Sequence, residues 1–197
     1  MAGGGTGGVV LVDMDGVLAD FDAAVLKQLP PKVERRFREN FYLVDDYPRH
    51  AAAVESITSH PDFFLNLPLV DGAIVGWQRL IDAGYHPRIC TAPLSRNSRS
   101  VQGKLAWLRR HFVPRFGELV VGDAIIDKEK FRHGGLALID DRPDVDTNNG
   151  QAAWRHIVFD RPYNQHSSAA LRLRGWNDPH LEDILTTLRR AAETGDA

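Results

Sequence analysis

Val9-Val10-Leu11-Val12-Asp13-Met14-Asp15-Gly16-Val17-Leu18-Ala19-Asp20-Phe21 is the stretch that decides the architecture. Its first four residues are apolar, mostly β-branched and uninterrupted. That suits a short strand buried on both faces, as in a parallel sheet. Polar chemistry starts abruptly at Asp13. Gly16 permits a sharp turn out of the strand. Because side chains alternate along extended backbone, Asp13 and Asp15 can approach one site. The plainer reading is a strand-end turn with incidental acids. A calcium loop starting at Asp13 would need ligands where Val17 and Ala24 stand, which excludes an EF-hand.

Moving outward, residues from Ala19 to about Pro61 are rich in charges and aromatics and contain no convincing strand. Phe21–Leu29, Lys32–Phe41 and His50–Ser59 read as helices, broken at Pro30-Pro31 and Tyr47-Pro48. Alternation resumes after Asp71-Gly72. Helices are expected over Ala73–Ala83, Arg99–Phe112 and Pro179–Ala192. Strands are expected at Arg88–Thr91, Leu119–Val121, Leu136–Ile139 and His156–Phe159. Strands alternating with helical segments imply a parallel sheet of βαβ units. The expected organisation is a flexible tail (1–8), an α/β core (9–18 and 69–197) and a helical cap (19–68) inserted after the first strand.

Composition narrows the function classes. Of 197 residues, 43% are hydrophobic and 25% charged, the profile of a globular chain with a sizeable core. With Lys+Arg at 24 and Asp+Glu at 26 the net charge is −2, so nothing favours a nucleic-acid polymer or an anionic membrane as partner. The single cysteine, Cys90, excludes an intrachain disulfide and fits a reducing cytoplasm. No apolar run is long enough to span a bilayer. The glycine-rich start has neither the pattern of a signal peptide nor that of a P-loop.

Asp13, Thr91 and Asp140-Asp141 each follow the apolar part of an expected strand. Ligands of open parallel sheets bind beyond the carboxyl ends of the strands. Carboxylates alone repel a phosphate, so these acids call for a cation, and an all-oxygen set suits Mg²⁺. Scattered histidines and a lone cysteine argue against zinc. Taken alone, Asp140-Asp141 would pass for an acidic turn before Arg142-Pro143. Thr91 with a lysine could bind transferring phosphoryl oxygens. Lys104, Lys128 and Lys130 are the candidates, each open to the plainer reading of a solvated charge. Cys90 reads as a buried strand residue.

These residues carry a resemblance. The string from Val10 to Phe21 resembles the haloacid dehalogenase superfamily of phosphatases, and more narrowly the 5′(3′)-deoxyribonucleotidases. The similarity continues through Asp62-Phe63-Phe64, Pro68 and Gly72-Ala73. It runs on through Ile89 to Leu94, Lys104 to Trp107, Leu138 to Asp144, Trp154 to Phe159 and Asn164-Gln165-His166. It implies a three-layer Rossmann-like α/β core with a parallel sheet and a small helical cap. It implies Asp13 as nucleophile and Asp15 as general acid/base, with Mg²⁺ held by Asp13, the Asp15 carbonyl and Asp141. Thr91, Lys104 and Lys130 would hold the phosphoryl group, and Phe21, Phe41, Tyr42, Leu43 and Phe64 the nucleoside. Ala92 stands where some relatives have Ser, which removes a phosphate donor.

The expected activity is Mg²⁺-dependent dephosphorylation of nucleoside monophosphates through an aspartyl-phosphate, by a cytoplasmic enzyme whose partner is a small-molecule nucleotide; a homodimer is compatible. The alternative is a phosphatase of the same superfamily acting on another small ester or on a polynucleotide 3′-phosphate, the latter weakened by the charge balance. A dehalogenase would share Asp13 but need neither Asp15 nor Mg²⁺. A phospho-acceptor signalling domain would place its acid after a middle strand rather than the first.

Overall fold

A computed structural model describes residues 8–169 and 171–194 of the chain. The expected tail therefore lies outside the described residues apart from Gly8. Six parallel strands form one sheet. They are β1 (Val9–Val12), β2 (His86–Thr91), β3 (Ile125–Ile126), β4 (Ala137–Asp140), β5 (Arg155–Phe159) and β6 (Leu171–Leu173), in the order β3-β2-β1-β4-β5-β6. The helices are α1 (Phe21–Gln28), α2 (Leu43–Asp46), α3 (Ala51–Ser59), α4 (Ala73–Asp82), α5 (Ser100–His111), α6 (Val113–Phe116), α7 (Leu119–Gly122) and α8 (Leu181–Thr194). No helix among the described residues is long and apolar enough to cross a membrane.

β1 sits at the centre because both its neighbours are strands: Val12 pairs with Ile89 on one side and Ile139 on the other. The chain leaves β1 toward β2 and β3, then returns to the other side of β1 for β4, β5 and β6. β1 is thus the point where strand order reverses, and the crevice beyond its carboxyl end is where such sheets bind ligands. Alternation sends Val10, Val12, Ile89, Ile139 and Ile157 into one apolar cluster with Trp77, Trp107 and Leu185 of α4, α5 and α8. It sends Leu11, Cys90, Ile125 and Leu138 into a second cluster, covered by Phe131, Val145, Ala152 and Trp154. The second face is therefore closed largely by irregular segments: the connection from β4 to β5 contains no helix. That departs from the strict strand–helix alternation the sequence suggests.

Three further local expectations fail. Leu119–Val121 is the helix α7, and Leu119 is 72% exposed. The third strand is Ile125–Ile126, aligned with Cys90 and Thr91. Lys32–Phe41 is not helical. Arg38, buried, instead donates to Asp22 Oδ2 (2.8 Å), to Asp46, and to the carbonyls of Asn40 and Phe41. Asp46 Oδ1 accepts from the N–H groups of Glu39 and Asn40 (3.3 and 3.2 Å), and Tyr47 Oη from Arg36 N (2.9 Å). Side chains satisfy backbone groups that a helix would have paired with one another. Lastly, Leu171–Leu173 is a strand the sequence reading did not include.

The two ends of segment 19–68 lie side by side. Asp20 N donates to Pro68 O and Val70 N to Leu18 O, both at 2.8 Å. Two buried indoles pin this crossing: Trp176 Nε1 donates to Val17 O and Trp107 Nε1 to Leu67 O, both at 2.7 Å.

Candidate active site

Strand ends and one tight turn build the site. Asp13 N still donates to Ile139 O (2.9 Å), so Asp13 leaves β1 at the sheet edge. Thr91 is the last residue of β2 and Asp140 the last of β4. Carboxylate oxygens of Asp13, Asp140 and Asp141 lie within 4.8 Å of one another, all three residues buried. After Asp15 the chain doubles back: the N–H groups of Leu18 and Ala19 both reach Met14 O at 2.8 Å. Gly16 has φ +78°, and a Cβ there would run into the Asp141 carboxylate. Glycine is required at this position by both backbone and space.

Two buried lysines meet the acids. Lys104 is 0% exposed, and its Nζ donates to Asp15 Oδ2 and Thr91 Oγ1, each at 2.8 Å. It also lies 5.1 Å from the centre of the Phe64 ring. The contact depends on Gly103, where a Cβ would stand 2.9 Å from Phe64 Cβ and push α5 away. Lys130, at the start of a 3₁₀ turn (Lys130–Arg132), has its Nζ 2.8 Å from Asp13 Oδ1 and 2.5 Å from Asp140 Oδ2. The contact to Asp13 is an ion pair without hydrogen-bond alignment, and Asp13 Oδ1 and Asp15 Oδ1 are buried without hydrogen-bond partners. Lys128 is exposed and donates to the Ser95 hydroxyl at the rim.

Three buried carboxylates and the half-buried Asp15 thus face two buried ammonium groups. Burial raises the pKa of Asp13, with Lys130 opposing. Burial, then Asp140 and Asp13, push Asp141 well above the usual carboxylate range, with the Tyr163 hydroxyl opposing. Burial acts on Asp140 in the same sense, but Lys130 and the Arg142 N–H outweigh it and hold Asp140 low. Burial works against the Lys130 charge, and Asp13 with Asp140 outweighs it and raises that pKa. An excess of buried anionic oxygens is the donor set of a hard cation, and the residues fit Mg²⁺. Both Asp140 oxygens are engaged, by Lys130 and by Arg142 N (2.9 Å). Asp141 uses only Oδ2, for Tyr163, which leaves Oδ1 for an ion.

These groups open into a cavity of about 1110 Å³. Asp13, Asp15, Phe21, Phe41, Tyr42, Leu43, Phe64, Thr91, Ala92, Lys130 and Asp141 all line it. Lys104 does not line it and meets the site only through its bonds to Asp15 and Thr91. Phe21 packs edge-on against Phe63 at 5.1 Å. Phe64 is fully buried, and Tyr42 is largely exposed. Cys90 lies behind the site, buried, with its thiol pushed up to about 12 chiefly by burial.

Sequence reasoning missed Asp22, Arg38, Arg142 and Tyr163, which share the cavity wall. Arg142 lies 5.3 Å from the centre of the Phe41 ring. Arg38 was hidden by the helical reading of its segment. The Pro162-Tyr163-Asn164 string after β5 was the available signal for Tyr163.

The family described as "5′ nucleotidase, deoxy (Pyrimidine), cytosolic type C protein" matches residues 7–190. A Bordetella bronchiseptica protein with a provisional 5′(3′)-deoxyribonucleotidase name is 35% identical over 179 residues, covering 86% of this chain and 94% of the relative. The human cytosolic-type 5′(3′)-deoxyribonucleotidase is 34% identical over 198 residues, covering 93% and 96%. A HAD family hydrolase from Deinococcus radiodurans shares the fold, with a TM-score of 0.51 at 15% identity, covering 93% of this chain and 96% of that one.

Proposed function

The chain belongs to the 5′(3′)-deoxyribonucleotidase family and is a phosphoric monoester hydrolase, and from that premise we propose that it removes phosphate from deoxyribonucleoside monophosphates at the Asp13 site. The observation that carries the reading is the convergence of Asp13, Asp15, Thr91 and Lys130 on a cavity walled by Phe21, Phe41 and Tyr42, with Lys104 bonded to Asp15 and Thr91 behind them. One end of that cavity suits a phosphoryl group and the other an aromatic base. Family membership favours this over a dehalogenase or a phosphatase for polynucleotide ends.

Asp13 attacks phosphorus, the ester P–O bond breaks, and Asp15 gives its proton to the departing ribose oxygen. An acyl phosphate on Asp13 results. Asp15 then takes a proton from water as the water oxygen attacks phosphorus, releasing inorganic phosphate and restoring the Asp13 carboxylate. Lys104 and Thr91, already bonded to each other, present donors to the phosphoryl oxygens, and Lys130 holds Asp13 in its attacking position. Mg²⁺ would be held by Asp13, Asp141 and the Asp15 carbonyl. When bound, it neutralises charge on the transferring group. Segment 19–68 serves as the cap that excludes bulk water. A cytoplasmic place of action follows the human cytosolic-type relative.

The test is phosphate release from deoxy- and ribonucleoside monophosphates with Mg²⁺ and with a chelator. Deoxyribonucleotides are expected to be the better substrates, with no release in chelator or after Asp13→Asn. Near-normal turnover of Asp13→Asn would falsify the mechanism.

A further inference from the structure

Tyr163 reaches the site from the turn that follows β5, two strands from β1. It sits in a 3₁₀ turn (Pro162–Asn164) after β5 and is 4% exposed. Its hydroxyl donates to Asp141 Oδ2. The next residue, Asn164, donates through Nδ2 to Asp141 O and to Phe159 O, both at 2.8 Å. Two consecutive residues therefore hold the side chain and the main chain of one acid. The Tyr163 ring is fixed in turn. The Arg38 guanidinium lies 4.6 Å from its centre, and the Phe41 ring meets it at 5.9 Å and 77°. Arg38 cannot drift, because Asp22, Asp46 and two carbonyls take its donors.

We propose that Tyr163 is a positioning residue that fixes the Asp141 carboxylate for one-oxygen coordination of a small divalent cation and ties that acid to the Arg38–Phe41 wall of the cavity. The inference rests on the metal reading above. With Oδ2 held by the phenol and Gly16 packed against the carboxylate, Asp141 can offer only Oδ1 without breaking a buried hydrogen bond. Single-oxygen ligands suit Mg²⁺, which demands near-octahedral geometry and keeps several waters. Ca²⁺ accepts both oxygens of a carboxylate at longer distances. The hydroxyl thus discriminates between the two ions as well as supporting the ligand.

The test is Tyr163→Phe, which removes the hydroxyl and leaves the ring against Arg38 and Phe41, so the fold is retained. Mg²⁺ and Ca²⁺ binding are measured by calorimetry on the full chain without substrate, beside a thermal melt. Mg²⁺ affinity is expected to fall about tenfold, and Ca²⁺ affinity to fall less, narrowing the preference. In turnover assays the Mg²⁺ activation midpoint should move by the same factor. Unchanged Mg²⁺ affinity, or an equal loss for both ions with a lowered melting point, overturns the inference while the parent still binds Mg²⁺. A parent chain that takes up no divalent cation overturns the metal reading and this inference with it.

Discussion

Asp141→Asn should raise the stability of the cation-free protein while destroying its activity. The amide is isosteric and its oxygen can still accept from Tyr163, so the change removes charge and little else. In the parent, Asp141 shares a buried space with Asp13 and Asp140, carboxylate oxygens within 4.8 Å of one another. Two charges at that distance repel by about 3.5 kcal/mol at an effective dielectric of about 20. Lys130 offsets part of this. Protonation caps the rest: an acid ordinarily near pKa 3.9 that is kept neutral at pH 7 costs at most about 4 kcal/mol. A net gain of about 1–3 kcal/mol corresponds to roughly 3–10 °C for a domain of this size. The sign follows from the direction of the shift. Asp141 is held above its usual range, so the penalty is absent below the unfolded-state pKa and grows as pH rises through the window between the two values. Melting in chelator from acid to neutral pH should therefore show the variant gaining on the parent. With Mg²⁺ at about 100 times its dissociation constant the parent gains about 2.7 kcal/mol, the variant much less, and the order narrows or reverses. A variant no more stable than the parent in chelator at neutral pH would refute the claim that uncompensated charge makes this a cation site.

Three other outcomes are expected. Cys90, fully buried with its thiol pushed up to about 12, should resist alkylation in the native protein and react only on unfolding; rapid labelling of the folded chain would contradict its placement behind the site. Phe21→Ala should lower kcat/KM for a deoxynucleotide about tenfold and spare a small ester without a base, such as acetyl phosphate; equal losses would assign Phe21 to packing against Phe63 instead. Glu182→Gln should cost no more than about 1 kcal/mol near neutral pH, since its paired hydrogen bonds to Arg79 are partly solvated. Arg79 holds the Glu182 pKa below the usual range, so that stability is present above the ordinary glutamate value and lost as pH falls through the lowered one. Urea melts of both proteins at neutral and acid pH would check this; a difference that persists in strong acid would rule out the ion pair as its source.

Local chemistry was enough to locate the centre of the sheet and the acids at its edge. Val9–Val12 is apolar on both faces because both are covered, Val10 and Val12 lying in one apolar cluster and Leu11 in the other, and a run of that kind announces itself without neighbours. Asp13, Thr91 and Asp140 follow such runs, so their arrival at one edge was legible from order along the chain. Leu119–Val121 was not, because three apolar residues are as compatible with one turn of helix as with a strand, and only pairing decides. Here the partner positions on β2 went to Ile125 and Ile126. The segment Lys32–Phe41 carries residues that favour a helix. It takes another path because the Arg38 guanidinium finds Asp22 and Asp46, sixteen and eight residues away, and those bonds form only in the folded chain. Tyr163 meets Asp141 for the same kind of reason: they are 22 positions apart, and nothing local links a phenol after β5 to an acid after β4. Residue type and order along the chain say which residues can do chemistry and that they stand at strand ends. Which of them touch is a property of the folded chain, because contacts between distant side chains depend on how the connections between strands pack, and side-chain type along the chain carries little of that information.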